Sequence, residues 1–477
     1  MHRHHHASED ASVVVARRPR IVVSVLLTLI AVATAVGAFA MWPHGAAAAL
    51  TPGSAQVAVD GTTFPTATVQ SISPTCAGVG DAGAPTAGSG CETATVTILD
   101  GDRAGTRADV QLQGPLAAAG ISPGDQVRLM IAPAAAQASG DPGTVQDAAQ
   151  GLAQGTAQEA GQGTAQDAVP APEEPGAATP GVSVFGVVRT GPFLLWAIVF
   201  VVIIGLVGRW RGLLAIVGLG FSGVVVAIFT LPALLNGSSG VAVALVSAGA
   251  MLYVVLYLAH GVSMRTSAAL AGTLAGVLIT AVIAQLAIVS TRLSGIADDG
   301  TGTLAGMTSH LDFQGLLACA VIIAGLGVLN DVTVTQSSSV WELRAAAPQA
   351  SRRRLFAQAM RIGRDHIAST IYTIVFAYAG ASLGVLLLVS VADTPLLTLL
   401  SYDDIATEIV RAVCSGIGLV LAIPITTAIA VALVPPTRVD GTERPPRDVS
   451  AEDMSKIDWL RSLQTPAGST GGIPAGG

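Results

Sequence analysis

Eight apolar stretches constrain this chain more than any other feature of its sequence. Each has about the twenty residues that an α-helix needs to cross a bilayer. They lie at 21–42, 191–208, 213–235, 241–259, 268–289, 315–335, 367–391 and 409–434. Backbone groups inside lipid must satisfy one another's hydrogen bonds, so these stretches are predicted to be helices. The sequence therefore predicts an all-α polytopic membrane bundle of about eight transmembrane helices.

The composition indicates the same class of protein. Hydrophobic residues make up 51% of the chain and charged residues only 12%, about half the charged fraction of an average soluble protein. The net charge of −7 is spread over tails and loops. That distribution predicts no nucleic-acid partner, and the lipid bilayer is the predicted partner.

The arginines give the orientation of the predicted spans. With the N-terminus inside, alternating the spans places these basic residues on the inner side: Arg17, Arg18, Arg20, Arg209, Arg211, Arg265 and six arginines between 344 and 364. The outer connections between spans carry mostly aspartate and glutamate. Short cytoplasmic loops are enriched in arginine and lysine. The sequence thus predicts a plasma-membrane protein with both termini in the cytoplasm.

The segments outside the seven later spans have distinct compositions. Residues 1–20 and 436–477 are predicted to be disordered cytoplasmic tails. The first span, 21–42, is predicted to be an uncleaved anchor. A cleaved signal peptide is the alternative, because GAAAAL at 45–50 offers small residues.

Residues 43–132 are predicted to form a small extracytoplasmic β-rich domain after the first span. Four runs alternate polar and apolar residues, at 66–73, 93–100, 108–113 and 125–131. They favour a small barrel resembling an OB fold. These runs carry no stripe of aromatic residues, which argues against nucleic-acid binding. Residues 133–180, with near-repeats such as GTAQDA, are predicted to be a flexible linker.

The four cysteines fall into two pairs. Cys76 and Cys91 lie in the β-rich segment, where an oxidising compartment makes a disulfide between them plausible. They belong to no CxxC pattern, so no metal site is predicted. Cys319 and Cys414 lie in predicted spans and are expected to be packing residues.

A polar stretch follows the apolar half of the sixth span. Asp331, Thr335, Ser338 and Glu342 fall on one face of a helix, with Gln336 beside them. These five residues are the candidates for a substrate or ion pathway. Two alternatives remain for Asp331: it lines a water-filled cavity, as intramembrane carboxylates usually do, or it lies at the cytoplasmic interface.

Glycine pairs and one proline indicate where helices pack and bend. Gly272 with Gly276, and Gly380 with Gly384, have the GxxxG spacing that lets helices approach closely. Chance is the alternative, because the chain contains 54 glycines. Pro424 predicts a kink or a break in the eighth span.

Two long segments resemble a known family. The run GLGVLNDVTVTQSSSVWELR at 325–344, and RTGPFLLWAIVFVVIIGLVGRWRGLLAIVGL at 189–219, are similar to the YibE/F family of multi-span bacterial membrane proteins. The resemblance covers about residues 181–435 and implies a seven-helix membrane domain there. It implies no chemistry, because the family has no established biochemical activity.

Two functions compete. The sequence contains no Walker A loop, Rossmann fingerprint, HExxH or GxSxG, so neither an enzyme nor a cofactor is predicted. The polar face at Asp331 favours a carrier or permease for a small solute or ion. The alternative is a non-transporting scaffold whose outer domain binds an envelope protein.

Overall fold

The chain builds a small antiparallel sheet and a set of long apolar helices. The computed structural model describes residues 17–43, 62–73, 92–132, 181–308, 310–391 and 395–434. The strands are β1 (Thr66–Ser73), β2 (Glu92–Ile98), β3 (Arg107–Leu112), β4 (Gln126–Ile131) and β5 (Val182–Val187). The helices are α1 (Arg17–Ala40), α2 (Thr190–Val225), α3 (Leu231–Leu235), α4 (Gly240–His260), α5 (Met264–Thr291), α6 (Asp299–Met307), α7 (Phe313–Ala346), α8 (Arg352–Ala381), α9 (Leu383–Val391), α10 (Leu396–Leu399) and α11 (Asp403–Leu433).

The five strands form a half-barrel with the order β3-β2-β1-β4-β5, and every pair is antiparallel. The edge strands β3 and β5 approach each other. Alternate residues point to the inside, where Val96, Val110, Val127 and Leu129 are fully buried. The four predicted strands are confirmed. The predicted pairing of Cys76 with Cys91 lies outside the described residues and stays a prediction.

The half-barrel includes a strand that the sequence assigned to the membrane domain. β5 pairs with β4 from Val127↔Val187 to Ile131↔Val182. The β domain, predicted to end at residue 132, therefore also includes Val182–Val187, and residues 133–180 join two neighbouring strands. Only Val188 and Arg189 separate β5 from α2, so the end of the strand and the start of the helix are at most about 11 Å apart. The half-barrel is thus held close to the start of α2.

Six helices of the described residues are long and apolar enough to cross a membrane, or seven if the bent pair of α8 and α9 is one span. The six are α1, α4, α5, α7, α11 and the stretch Thr190–Leu235. The predicted eight counted 191–208 and 213–235 separately, whereas the helical stretch Thr190–Leu235 contains both.

That stretch contains a sharp break where the sequence predicted a loop. Arg209 has φ 53° and ψ −145°, outside the helical region. A Cβ added to Gly212 would lie 2.6 Å from the carbonyl oxygen of Ile204, although residues eight apart in a straight helix are separated by about 12 Å. The chain therefore turns back on itself at Arg209.

Helices α5, α7 and α11 form the closely packed centre of the bundle. A Cβ on Gly272 would overlap the side chain of Thr426, and one on Gly276 would come within 2.9 Å of Ala422. Small residues of this kind let helix backbones approach. By contrast, Gly380 and Gly384 have nothing within 4 Å among the described residues. The first GxxxG pair is therefore a packing contact, whereas the second makes none with the part of the chain that the structure describes.

The helix break among the later spans lies at a different position from the one that the sequence predicted. α11 continues through Pro424, because a helix within a bundle tolerates proline when its neighbours compensate for the lost hydrogen bond. The seventh predicted span is instead broken at Ser382, where α8 and α9 meet at a bend of 64°. α11 is therefore not broken at Pro424, and the kink predicted there stays a prediction.

The first helix packs antiparallel against α4. The Tyr253 hydroxyl donates to the carbonyl of Leu27 at 2.6 Å. Further along, Gly249 faces Thr34 and Val246 faces Gly37. The arginines that begin α1 therefore lie at the same end of the bundle as the C-terminus of α4.

Candidate functional site

The helix connections give the bundle two chemically different ends. At the arginine-rich end, α4 passes to α5 and α7 passes to α8, with Arg265, Arg344 and Arg352 beside the junctions. At the acidic end lie the start of α6 and the start of α11, with Asp298, Asp299, Asp403 and Asp404. Both ends contain a cavity.

The five pathway candidates do not form one site. Gln336 is buried, with 2% of its surface exposed. Its Nε2 donates to the carbonyl of Ala359 at 2.9 Å and to Oγ1 of Thr427 at 2.7 Å. This side chain thereby joins α7 to α8 and to α11. Gln336 lies on a different face of α7 from Asp331 and Glu342, which are both exposed.

The remaining candidates follow the exposed face of α7. Asp331 lines neither of the two cavities, and Glu342 lies 3.7 Å from Arg265 in a well-exposed ion pair. Thr335 is half-buried and its carbonyl accepts a hydrogen bond from Ser339. Ser338 alone of the five lines a cavity, the one at the arginine-rich end. A pathway role for these residues stays a prediction.

The cavity at the arginine-rich end is small and basic. Its volume is about 40 Å³, and Arg211, His260, Arg265 and Ser338 contribute to its walls. A cavity of this size holds a few water molecules at most.

The cavity at the acidic end is much larger, with a volume of about 460 Å³. Four carboxylates and one guanidinium line it, together with Thr407 and the bend between α8 and α9. These residues are Asp298, Asp299, Asp404, Glu408, Arg411, Thr407, Ala381 and Ser382. The cavity thus lies between the acidic ends of α6 and α11 and the broken helix.

Three polar residues continue from this cavity along α11. Thr407, Arg411 and Ser415 are spaced four residues apart and therefore share one helix face. Each has a buried polar atom without a hydrogen-bond partner among the described residues: Oγ1 of Thr407, Nε of Arg411 and Oγ of Ser415. We call these three residues the polar column. Buried polar atoms are normally paired, so unpaired atoms on three successive turns require explanation.

The inner end of the polar column touches α7. Ser415 Oγ would lie 3.5 Å from a Cβ on Gly325. Five residues after Gly325, Oδ1 of Asn330 is also buried without a partner. The polar column itself therefore extends from the acidic cavity to the interface between α11 and α7.

The acidic cavity is not arranged as a metal site. No group of three or more histidine, cysteine, aspartate or glutamate residues in the described ranges could hold a metal ion. Within those ranges Cys319 and Cys414 are free thiols in the buried interior.

A family model extends over this whole arrangement. The model of the YibE/F-like protein matches residues 196–436, just over half of the chain. The chain belongs to the YibE/F-like family. The resemblance inferred from the segments at 189–219 and 325–344 is thereby confirmed. No curated protein and no solved structure matches the chain.

The YibE/F-like region, residues 196–436, contains both cavities and the polar column, whereas α1 and the half-barrel precede it. The site is thus a feature of the family part of the chain. Sequence reasoning missed Thr407 and Arg411, although a signal was present. An arginine flanked by hydroxyl residues at intervals of four, within an apolar helix, is rare enough to mark a functional face.

Proposed function

We propose that this YibE/F-like protein is a carrier for a small solute or ion in the plasma membrane. The observation that carries the proposal is the polar column, which begins at the acidic cavity and continues into the bundle. Polar atoms without partners are costly inside an apolar bundle. A passing solute with its water would satisfy them.

The broken helix supports the same function. α8 and α9 meet at 64°, and Ala381 and Ser382 at the bend form part of the cavity wall. Carriers commonly build their binding sites from discontinuous helices, because a break exposes backbone groups and permits movement. In this proposal both termini are cytoplasmic and the acidic end faces outward, as the arginine distribution predicts.

The test of the carrier uses the full chain reconstituted in proteoliposomes. Uptake of a broad panel of labelled solutes and ions should reveal transport above that of empty vesicles. Ser415→Ala should lower that transport about tenfold or more, while stability is unchanged or raised because an unpaired hydroxyl has been removed. Ser222→Ala is the matched control, since its hydroxyl donates to Gly218 within its own helix. No transport of any solute in the panel would contradict the carrier.

A scaffold is the second candidate, and an exposed aromatic pair favours it. Phe64 and Phe185 on the half-barrel make an edge-on contact with ring centroids 5.2 Å apart, and Phe185 is 52% exposed. Exposed aromatic residues are typical of binding surfaces. Phe185→Ser should abolish cross-linking to an envelope partner if the scaffold is correct, and leave transport unchanged if the carrier is correct.

A further inference from the structure

We propose that the acidic cavity binds a small zwitterion of the α-amino acid class, an inference that rests on the carrier function and specifies its substrate. The cavity presents an ion pair, Arg411 with Glu408, in its wall and three further carboxylates at its rim. A zwitterion is the simplest ligand that complements both.

Depth separates the rim carboxylates from the ion pair of Arg411 with Glu408. The rim carboxylates Asp298, Asp299 and Asp404 are exposed. Arg411 and Glu408 are half-buried, and Thr407 is only 2% exposed. A ligand entering the cavity from water therefore meets the three rim carboxylates first and the Glu408–Arg411 pair later.

The half-buried guanidinium of Arg411 needs a further hydrogen-bond acceptor. Arg411 Nη1 donates to Glu408 Oε1 at 2.7 Å, which leaves Nε as a buried donor without a partner. Guanidinium groups have no acceptor atoms and pair best with carboxylates. Thr407 places a second unpaired polar atom one turn away. A simple cation would leave the Arg411 donor unpaired, whereas a ligand carboxylate would satisfy it.

The rim carboxylates attract a cation, and their arrangement favours an organic ammonium group over a metal ion. Asp298 already accepts hydrogen bonds from Thr301 through Oδ1 as the cap of α6, so its other oxygen remains for a ligand. The described carboxylates do not converge as metal ligands. An ammonium group can pair with a single carboxylate, so any one of the three rim carboxylates is enough to hold it.

The size of the cavity agrees with this ligand class. At about 460 Å³ it falls within the range of pockets that hold small organic molecules. A bare inorganic ion would leave most of that volume filled with water.

The test measures equilibrium binding of tritiated L-alanine, L-leucine and L-glutamine to the purified full chain in detergent. We expect saturable binding of at least one of them. Propionate and ethylamine each keep only one charged group of L-alanine, and they should compete about tenfold or more weakly. Absence of binding by all three amino acids, or equally strong competition by propionate or ethylamine, would overturn the proposal.

Variants of the two charged ends locate the site. Asp404→Asn on the exposed rim, and Arg411→Gln in the wall, should each weaken binding about tenfold or more. Asp403→Asn is the matched control, because Asp403 lies next to Asp404 and accepts from Ser294 at 2.6 Å but does not line the cavity. Asp404 is exposed, so its substitution keeps the test decisive even if Arg411→Gln fails to fold.

The outcomes for site and function are distinct. Amino-acid binding that Asp404→Asn weakens, without transport in proteoliposomes, would overturn the carrier and keep the site. Transport of a singly charged solute by a protein that binds no amino acid would keep the carrier and overturn the site.

Discussion

At the residue scale, Gln336 connects three helices through one side chain. Its amide reaches α8 at Ala359 and α11 at Thr427, and Gly363 leaves the space for it. Hydrogen bonds between helices in a membrane bundle contribute about 0.6 kcal/mol on average. Two such bonds at one residue let Gln336 hold three helices together, while its predicted pathway role stays a prediction.

Gln336→Leu should lower the free energy of unfolding by about 1 kcal/mol, because the substitution removes both interhelical hydrogen bonds. Unfolding of the purified protein in detergent with increasing denaturant measures this change. Ser339→Ala is the control, since the Ser339 hydroxyl bonds only to Thr335 in its own helix. Equal stability of the two variants would contradict the structural role.

Asp331 allows a second test at this scale. It is exposed and lines neither cavity, so Asp331→Asn should leave transport near that of the wild type. Glu342→Gln, on the same face, should behave alike. Uptake in proteoliposomes provides the measurement. Loss of transport in Asp331→Asn, with normal expression and insertion, would instead restore the cavity-lining alternative.

At the element scale, the central helices depend on glycines whose missing side chains leave room for a neighbour. Gly272→Val should destabilise the bundle by about 1–3 kcal/mol, because the new methyl groups would overlap Thr426 on α11. Gly380→Val is the matched control in a GxxxG of identical spacing, with open space around it. Thermal unfolding in detergent compares the two. Similar losses of stability would show that close packing does not explain the difference.

Long apolar runs predicted most elements correctly. Spans expected at 241–259 and 268–289 are observed as Gly240–His260 and Met264–Thr291, since twenty apolar residues in lipid have few alternatives to a helix. The break at Ser382 was not predictable in this way. Its flanking sequence contains no proline, and Gly380, Ser382 and Gly384, which permit a bend, are too common in this chain to mark one.

The site was harder to predict than the helices. A polar face on α7 was recognised from Asp331, Thr335 and Ser338, but their spacing carries no information on which neighbour covers that face. Packing leaves much of it exposed. The polar column on α11 was overlooked because Arg411 has Glu408 three residues away, a pair that looks interfacial in the sequence. Only the structure revealed its unpaired Nε.

At the scale of the whole molecule, the antiparallel packing of α1 on α4 agrees with the predicted orientation. It brings the first arginines to the end where α7 passes to α8, and the positive-inside rule assigns all of these arginines to the cytoplasm. Reporter fusions should therefore place Ala357 in the cytoplasm and Gln150 outside. A cytoplasmic signal at Gln150 would reverse the proposed sidedness and put the acidic cavity on the inner face.

The pairing of β4 with β5 makes this protein divisible into two chains. Residues 133–180 connect strands that are already hydrogen-bonded to each other from Val127↔Val187 to Ile131↔Val182. A protease site inserted after Gly155 should therefore yield two fragments that co-purify under native conditions and separate in denaturant. Co-expression of 1–155 and 156–477 as independent polypeptides should give the same complex. The same position can then accept a fluorescent protein or an affinity tag without interrupting any strand or helix of the described fold.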